Sequence, residues 1–315
     1  MHVIVALALV AMLIKVVERW VPHTIYRFVV LLYVMIPFGA LGYTLWAYWG
    51  DWIGPREVAL FIGFSLLTGI GTGVGYHRLL THHSFETRPS LRAFFVILGT
   101  MAIPTRPIDF AANHLKHHAF ADREGDPHSP MDGLFHAHIG WILKSPPAER
   151  ERYCKKLLAD PVVMFVDRTT VLWFFLGLLI PYLIAGWPGL LWGGLIRYGY
   201  HNHVTFAGNS ICHTFGARPF ETADESRNNW LIGLLAFGEG WHNNHHAFPA
   251  MAYHGMGWRQ FDLNSLVIRM LAAVGLAWNV KQPSSELIER RRAQLRQAQV
   301  QAQASTAGAV ASTGD

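Results

Sequence analysis

The sequence is poor in charged residues and nearly free of cysteine. Charged side chains make up 15% of its 315 residues, against about 25% in an ordinary soluble domain. Its two cysteines exclude a disulfide framework and any Cys-x-x-Cys metal or redox motif. A net charge of +5 could indicate nucleic-acid binding, but 51% of the chain is hydrophobic. Basic loops at one face of a membrane explain that charge better. We therefore predict an integral membrane protein with no nucleic-acid partner.

Long apolar runs take the place of charge. Those that approach the roughly 20 residues needed to cross a bilayer occupy residues 28–49, 58–75, 170–185 and 190–207. The last two are joined by residues 186–189, whose Gly-Trp-Pro-Gly sequence is typical of a tight turn and predicts a helical hairpin. Residues 93–103 are apolar but too short to span, which favours an interfacial or re-entrant position. These runs predict an all-α membrane protein.

The predicted hairpin returns the chain to the face from which it entered, so the polar segments before and after it share one face. Residues 76–169 hold 12 of the 26 Lys and Arg residues, and the region after His213 holds 9. The short loop of residues 50–57 holds only Arg56. By the positive-inside rule, the shared face is cytoplasmic.

The chain is predicted to form a single membrane domain over residues 1–282. Residues 1–24 include an apolar run without a basic leader segment or a cleavage site, and we interpret them as a retained membrane-embedded or interfacial helix. Residues 264–280 predict an apolar helix on the membrane surface. Residues 283–315 are first Arg-rich and then rich in Ala and Gln, which predicts a disordered tail.

The histidines carry a spacing typical of metal ligands. The pattern His-x-x-His-His occurs twice, at His114, His117 and His118, and at His242, His245 and His246. Positions i, i+3 and i+4 of a helix share one face, so each copy turns three imidazoles toward the same side. Neutral imidazole suits iron, zinc, copper and nickel. Each copy is therefore a candidate set of metal ligands.

Two further pairs raise the count of candidate ligands. Asn209 and His213 are four apart and share a helix face, and the Asn209 amide oxygen could hold a metal-bound water. His77 and His82 are five apart, about 140° around a regular helix. Either the helix ends between them or they serve different metals. The motifs together contain nine histidines, too many for one ion, which indicates two metals.

The other histidines lie outside this spacing. His83 follows a candidate ligand but is not expected to bind metal. Those expected to support the ligands or the local structure without binding metal are His128, His201 and His203. Those expected at the surface or facing the substrate are His136 and His138. Those expected at the surface or the membrane interface are His2, His23 and His254.

Paired carboxylates are scarce. Soluble di-iron bundles use two Glu-x-x-His pairs and two further glutamates, whereas this sequence has one such pair, Glu239 and His242. That type of site is excluded, and the His-Glu-x-x-His pattern of zinc proteases is absent. Carboxylates near the motifs could instead orient the imidazoles through the second ring nitrogen, or be ordinary solvated charges. These carboxylates are Asp109, Asp122, Glu124, Asp126 and Glu239.

Together the motifs resemble the histidine boxes of membrane fatty acyl desaturases, over about residues 72–249. The likeness is closest to the acyl-CoA (stearoyl-CoA, delta-9) branch, whose Asn-Ser-x-x-His element matches Asn209 to His213. The resemblance implies four transmembrane helices in two hairpins under a cytosolic helical cap, with two iron ions (Fe2+/Fe3+). It implies that Asn209 holds one iron through a water. The implied iron ligands are His77, His82, His114, His117, His118, His213, His242, His245 and His246.

The same resemblance implies that O2 and two electrons are used to introduce a cis, delta-9 double bond into a saturated fatty acyl chain. Basic residues that contact CoA in animal members are poorly matched, with only Lys144 close to Trp141. The acyl carrier could therefore be CoA, acyl carrier protein or a membrane lipid. No heme-binding His-Pro-Gly-Gly occurs, so electrons are expected from a separate ferredoxin or cytochrome b5 type donor with its reductase.

Two other functions compete with desaturation. A related fatty acyl hydroxylase or oxidative decarboxylase would use the same oxidant. A metal transporter would place ionisable residues along several spans, and the predicted spans hold few apart from Arg197. Desaturation requires an apolar tunnel that holds two methylenes beside the metals. Its closed end is expected near Gly71, Gly73 and Gly75.

Overall fold

The computed structural model describes residues 23–47, 54–294 and 296–297, which are mostly helical. Its main elements are α1 (His23–Ala47), α2 (Pro55–Ile70), β1 (Glu86–Thr87), α3 (Pro89–Ala102), α4 (Pro107–Phe120), α5 (Trp141–Lys144), α6 (Arg150–Tyr153), α7 (Lys155–Leu158), α8 (Pro161–Arg168), α9 (Thr170–Pro188), α10 (Arg197–Ser210), α11 (Trp230–Leu235), α12 (His242–Ala247), α13 (Leu263–Ala273) and β2 (Ala277–Trp278). Segments of π-helix are Gly71–Thr81, His136–Gly140 and Gly189–Ile196, and short 3-10 turns are Pro130–Asp132 and Ile211–His213. The predictions for residues 1–22 and for the end of the tail, from residue 298, lie outside the described residues.

Among the described residues, two helical stretches are long and apolar enough to cross a membrane, Pro55–Thr81 and Thr170–His213. The pair α3 and α4 is a third candidate if its 83° bend is counted within one span. This bent pair contains the run that we expected to be interfacial or re-entrant. Within α1, the apolar stretch Val34–Ala47 is shorter than a span. The chain therefore has candidate membrane spans, and a total of four crossings stays a prediction.

The stretch Thr170–His213 reverses direction at Gly186. This glycine has φ 60° and ψ −141°. Other residues rarely adopt such a positive φ because their Cβ would clash with the backbone, whereas glycine has no Cβ. A Cβ at Gly193 would lie only 2.8 Å from the Cβ of Pro181, although these residues would be about 18 Å apart along one straight helix. The stretch is therefore two antiparallel helices, and the predicted hairpin at residues 186–189 is confirmed.

Arg197 ties this hairpin to its neighbours. Its guanidinium is fully buried and donates to Thr68 Oγ1 (3.1 Å), the Met101 carbonyl (2.9 Å) and the Gly177 carbonyl (3.3 Å). These acceptors belong to α2, α3 and α9. A polar group removed from water must find such partners, because leaving it unpaired costs several kcal/mol, roughly 2–7. Arg197 therefore fixes three helices around the start of α10.

The π-helix Gly71–Thr81 continues α2 toward the histidine clusters. Its hydrogen bonds join residues five apart, and at its end the His82 amide N–H donates to the His77 carbonyl (3.1 Å). Residues with this separation lie nearly above one another in such a helix. The π-helix ends at Thr81 and His82 is its C-cap, so the helix ends between His77 and His82, as one of the two alternatives predicted. The wider winding of the π-helix brings the two residues to one side.

The cap is assembled on apolar contacts and one small strand pair. Val96 of α3, Ile108 of α4 and Val163 of α8 belong to one buried cluster. β1 and β2 pair antiparallel, with Glu86 opposite Trp278. This pairing brings the segment after α13 back beside the segment that follows the π-helix.

The predicted surface helix is shorter in the structure. α13 ends at Ala273, and the chain then turns at Gly275, which has φ 72°. Leu266 and Met270 are exposed on one face of α13, while Ile268 is buried on the other. This amphipathic pattern is typical of a helix at a membrane surface. Its position on the membrane stays a prediction.

Candidate metal centre

Five histidines from three segments form the first group. The side chains of His77, His82, His114 and His245 each offer a ring nitrogen within 4.8 Å of the others. The Nε2 atom of His118 lies 3.0 Å from that of His114 and 2.9 Å from that of His245. The π-helix supplies the first two members, α4 supplies His114 and His118, and α12 supplies His245. We call these five residues group A.

Four histidines form the second group, again with nitrogens within 4.8 Å of one another: His117, His213, His242 and His246. The Nε2 atom of His242 lies 3.0 Å from that of His213 and 3.1 Å from that of His246. We call these four residues group B. Groups A and B adjoin, because His118, His245 and His246 also lie within this distance of one another. The structure thus brings all nine sequence-predicted histidines together in two neighbouring groups.

Carboxylates orient several of these rings. The Nδ1–H of His77 donates to Glu239 (2.5 Å), that of His117 to Asp126 (2.9 Å) and that of His213 to Asp122 (2.8 Å). A neutral imidazole that donates from Nδ1 carries a lone pair on Nε2. The Nε2 atoms are the ones that face one another at about 3 Å. Lone pairs in such contact repel unless a cation lies between them, so this donor set fits two metal ions.

The protonation of His242, His245 and His246 agrees with metal binding. Burial lowers the pKa of His242, His245 and His246 well below the ordinary value, and the neighbouring histidines lower it further. These imidazoles are therefore neutral at physiological pH, as ligands must be. The Nε2 atom of His117 is buried and has no hydrogen-bond partner among the described residues. A metal ion would satisfy it.

The carboxylate predictions were right in part. Three of the five carboxylates accept hydrogen bonds from ligand imidazoles, namely Asp122, Asp126 and Glu239. Asp109 pairs instead with Arg150, and Glu124 is exposed. Sequence reasoning also missed one carboxylate. Asp224 accepts a hydrogen bond from His246 Nδ1 (2.9 Å). No helical spacing links these two residues, so only the folded loop before α11 shows the contact.

His254 was expected at the surface, and this is wrong. Its side chain is fully buried, with its ring 4.6 Å from the His245 ring and its Nδ1 3.5 Å from Glu239. The cause is a turn that Asp262 closes. Its carboxylate accepts the amide N–H groups of His254 (2.9 Å) and Gly255 (3.0 Å), and so folds this segment back onto group A.

His128 lies where a supporting residue was expected. Its ring is buried 4.4 Å from the His117 ring, and its Nδ1 is 3.6 Å from Asp126. His83, which was not expected to bind metal, is exposed. His136 lies 3.9 Å from the exposed Asp132 carboxylate.

His201 and His203 were expected to support the ligands or the local structure, and both form hydrogen bonds outside the two histidine groups. His201 Nε2 is hydrogen-bonded to Thr72 Oγ1 (3.0 Å), five residues before His77 in the π-helix. His203 Nδ1 bonds His138 Nε2 (3.1 Å), and His138 Nδ1 in turn bonds the Ser210 hydroxyl. Neither residue contacts groups A or B within the described part of the chain, because the helix turns them toward α2 and toward the π-helix at residue 138.

A largely apolar cavity adjoins both groups. His77 and His114 of group A and His242 of group B line one end, together with the half-buried Asn209. Gly69 lines it as well, about 12 Å before His77 along the helix. The cavity therefore extends from the metal centre along α2, as a tunnel for an extended apolar ligand would.

The end of the cavity is not where we expected it. Of the three glycines proposed, only Gly73 lines the cavity, whereas Gly71 and Gly75 pack on α3. A Cβ at Gly75 would lie 2.7 Å from the carbonyl oxygen of Phe95. Deeper in the cavity, any side chain at Gly69 would collide with the ring of Phe237. Sequence spacing could not show this contact, because Phe237 comes from the segment after α11.

Comparison with known proteins agrees with this geometry. A model of the family "Fatty acid desaturase" matches residues 55–257, which contain both histidine groups. The chain belongs to the fatty acid desaturase family. It is therefore a fatty acid desaturase, an oxidoreductase.

Three relatives of this desaturase illustrate the range of the family. The sn-1 stearoyl-lipid 9-desaturase of Anabaena variabilis is 40% identical over 71% of this chain and 83% of its own length. The hex-5-enoyl-[acyl-carrier protein] acetylenase of Moorena producens is 36% identical over 83% of this chain and 88% of its own. The icosanoyl-CoA 5-desaturase of Limnanthes douglasii is 37% identical over 85% of this chain and 75% of its own. Their names cover lipid, carrier-protein and CoA substrates, so the similarity is not specific to the acyl-CoA branch.

Proposed function

We propose that this desaturase uses O2, two iron ions and two external electrons to introduce a cis, delta-9 double bond into a saturated fatty acyl chain. The observation that carries the proposal is the pair of facing histidine groups at one end of the apolar cavity. The balanced reaction converts –CH2–CH2–, O2, two electrons and two protons into –CH=CH– and two waters. The sn-1 stearoyl-lipid 9-desaturases among the relatives support the bond position.

The geometry suggests how the ligands divide between the irons. Group A would hold one iron through its five imidazoles: His77, His82, His114, His118 and His245. Group B would hold the other through His117, His213, His242 and His246. Asn209 would complete the second site through a water, since it lines the cavity next to His242. Iron supplies the oxidant that removes hydrogen from unactivated methylenes.

The protein's own residues position the ligands and the substrate. Glu239 is bonded by His77 and also by Arg78 (2.8 Å) and Asn264 (2.8 Å), which fixes the carboxylate and through it the imidazole. Burial alone would raise the pKa of Glu239, but the charge of Arg78 and the hydrogen bond from His77 hold it well below its usual value. The carboxylate therefore stays ionised. The cavity excludes water and holds an extended chain beside the histidines.

The remaining partners follow from the same arrangement. The relatives' names support an acyl chain carried by a lipid, by acyl carrier protein or by CoA. The distribution of Lys and Arg supports a metal centre on the cytoplasmic face. Electrons would come from a separate ferredoxin or cytochrome b5 type protein, itself reduced by a reductase.

Expression in a host that lacks its own desaturase tests the proposal. New cis-delta-9 monounsaturated chains are expected in the fatty acid profile, measured by gas chromatography with mass spectrometry after derivatisation of the double bond. Glycerolipids, CoA thioesters and carrier-protein thioesters are extracted separately. The fraction in which monounsaturated chains appear first identifies the carrier. Hydroxy acids or terminal alkenes without monoenes would instead support the hydroxylase or decarboxylase.

A further inference from the structure

The surface of the cap comes within one residue of group A. His82 is a buried member of the group, and the next residue, His83, is exposed with φ 47°. Adjacent Cα atoms are about 3.8 Å apart. An electron that enters at His83 therefore has a short route along the chain to a proposed iron ligand.

The basic residue Lys281 lies beside His83. The amide N–H of Lys281 donates to the carbonyl oxygen of Ser84 (2.8 Å), and its own carbonyl accepts the amide N–H of Ala252 (2.9 Å). The Lys281 side chain is exposed. These backbone hydrogen bonds fix the backbone of Lys281, and with it a positive charge, next to His83.

A second basic side chain comes from α7. This residue is Lys156, whose side chain is exposed. Asp160, which follows α7, forms an ion pair with Arg92 and so ties this segment to α3. The positive charges of Lys281, Lys156 and Arg92 lie close enough to His83 to act on its ring. Within the described ranges, Lys156 and Lys281 form no salt bridge, whereas Asp160 offsets Arg92.

Some other basic residues of the cap form ion pairs. Arg218 and Arg227 share Glu225 (2.9 and 3.0 Å), and Arg150 pairs with Asp109 and Asp167. Glu86 lies near Lys281 and Arg92 and accepts hydrogen bonds from Trp278 and Asn279 (3.0 Å each). Beside His83, the positive charges of Arg92, Lys156 and Lys281 exceed the negative charges of Asp160 and Glu86 by one.

We propose that this surface, defined by His83, Lys156 and Lys281 and called the His83 surface, docks a small acidic electron-carrier protein. Complementary charge steers such a partner and speeds association, and electron-transfer encounters need only a small contact area. Each docking event oxidises the carrier by one electron, so two events supply the two electrons of one turnover. The inference rests on the proposed function, because it assumes a metal centre that needs external electrons.

Stopped-flow reduction of the oxidised, iron-loaded full chain tests the proposal, with reduced plant-type ferredoxin and reduced soluble cytochrome b5 as probes. In the variant Lys156→Glu with Lys281→Glu, the second-order rate constant is expected to fall about tenfold or more at low ionic strength. The difference should nearly vanish at about 1 M salt, where screening is strong. The matched control is Arg290→Glu with Arg291→Glu, which changes the net charge equally at another exposed site and should react at the wild-type rate.

Photoreduced deazaflavin, a small reductant that needs no docking site, should reduce both variants and the wild type equally, with equal iron contents. Equal rates with the carrier proteins for the lysine variant and wild type would overturn the proposal. So would an equal loss in the control, or a wild type that neither carrier reduces. The proposed function fails separately, if wild type reduced by deazaflavin and supplied with O2 forms no unsaturated product.

Discussion

Replacing His245 with glutamine is expected to remove iron and to reduce desaturation on the order of 100-fold or more. Its Nε2 lies 3.2 Å from that of His77 and 2.9 Å from that of His118, and its ring lies 4.6 Å from that of His254. The side chain is fully buried, so water cannot easily take its place. Iron content by mass spectrometry and product formation from a labelled saturated chain give the two readouts.

His136→Gln is the matched control, because His136 lies outside both groups and faces the exposed Asp132. This variant should retain wild-type iron content. Size-exclusion chromatography in detergent shows whether each variant remains folded and monodisperse. A folded His245→Gln variant with full iron content and full activity would remove His245 from the ligands.

Replacing Arg78 with methionine is expected to destabilise the protein by about 3–5 kcal/mol, because it leaves buried negative charge without a partner. The fully buried guanidinium donates to Glu239 (2.8 Å), Asp262 (3.0 Å) and the Ala252 carbonyl (2.8 Å). It therefore connects the carboxylate that holds His77 with the turn that buries His254. The midpoint of thermal unfolding in detergent should fall by roughly 10 °C.

Arg292→Met removes an exposed ion pair with Glu289 (2.8 Å) and is the control. Such pairs contribute about 0–1 kcal/mol, so this variant should unfold within about 2 °C of wild type. Iron binding should weaken in the Arg78 variant alone, since Arg78 donates to Glu239 whereas Arg292 pairs with Glu289. Unchanged stability of that variant would show that Glu239 and Asp262 find other partners.

Helix spacing predicted that the three histidines of each His-x-x-His-His copy point to one side. The structure divides each copy between the two groups, because the middle histidine, His117 or His245, belongs to the other group from its two neighbours. His114 and His118 share a face of α4, and His242 and His246 share a face of α12. His77 and His82 were harder, since a regular helix turns them apart. The π-helix that aligns them follows from packing, with Gly71 and Gly75 pressed against α3, and no residue-spacing rule predicts it.

Contacts between distant segments could not be predicted from the sequence. Asp224 reaches His246 through a loop, and His254 is buried because Asp262 turns the chain back toward Glu239. The surroundings of these two residues depend on tertiary folding and carry no periodic signal. The turn at Gly186 was predictable, because its glycine and proline composition is itself a local signal.

The metal content of the purified wild-type chain tests the two-iron centre most directly. The protein is expressed with added iron, purified without chelators, and measured by mass spectrometry together with protein concentration from amino-acid analysis. The account predicts two iron ions per chain, with Mössbauer signals from nitrogen-rich iron sites. A content of one iron or less after anaerobic reconstitution with Fe2+, or two zinc ions that iron does not displace, would contradict it.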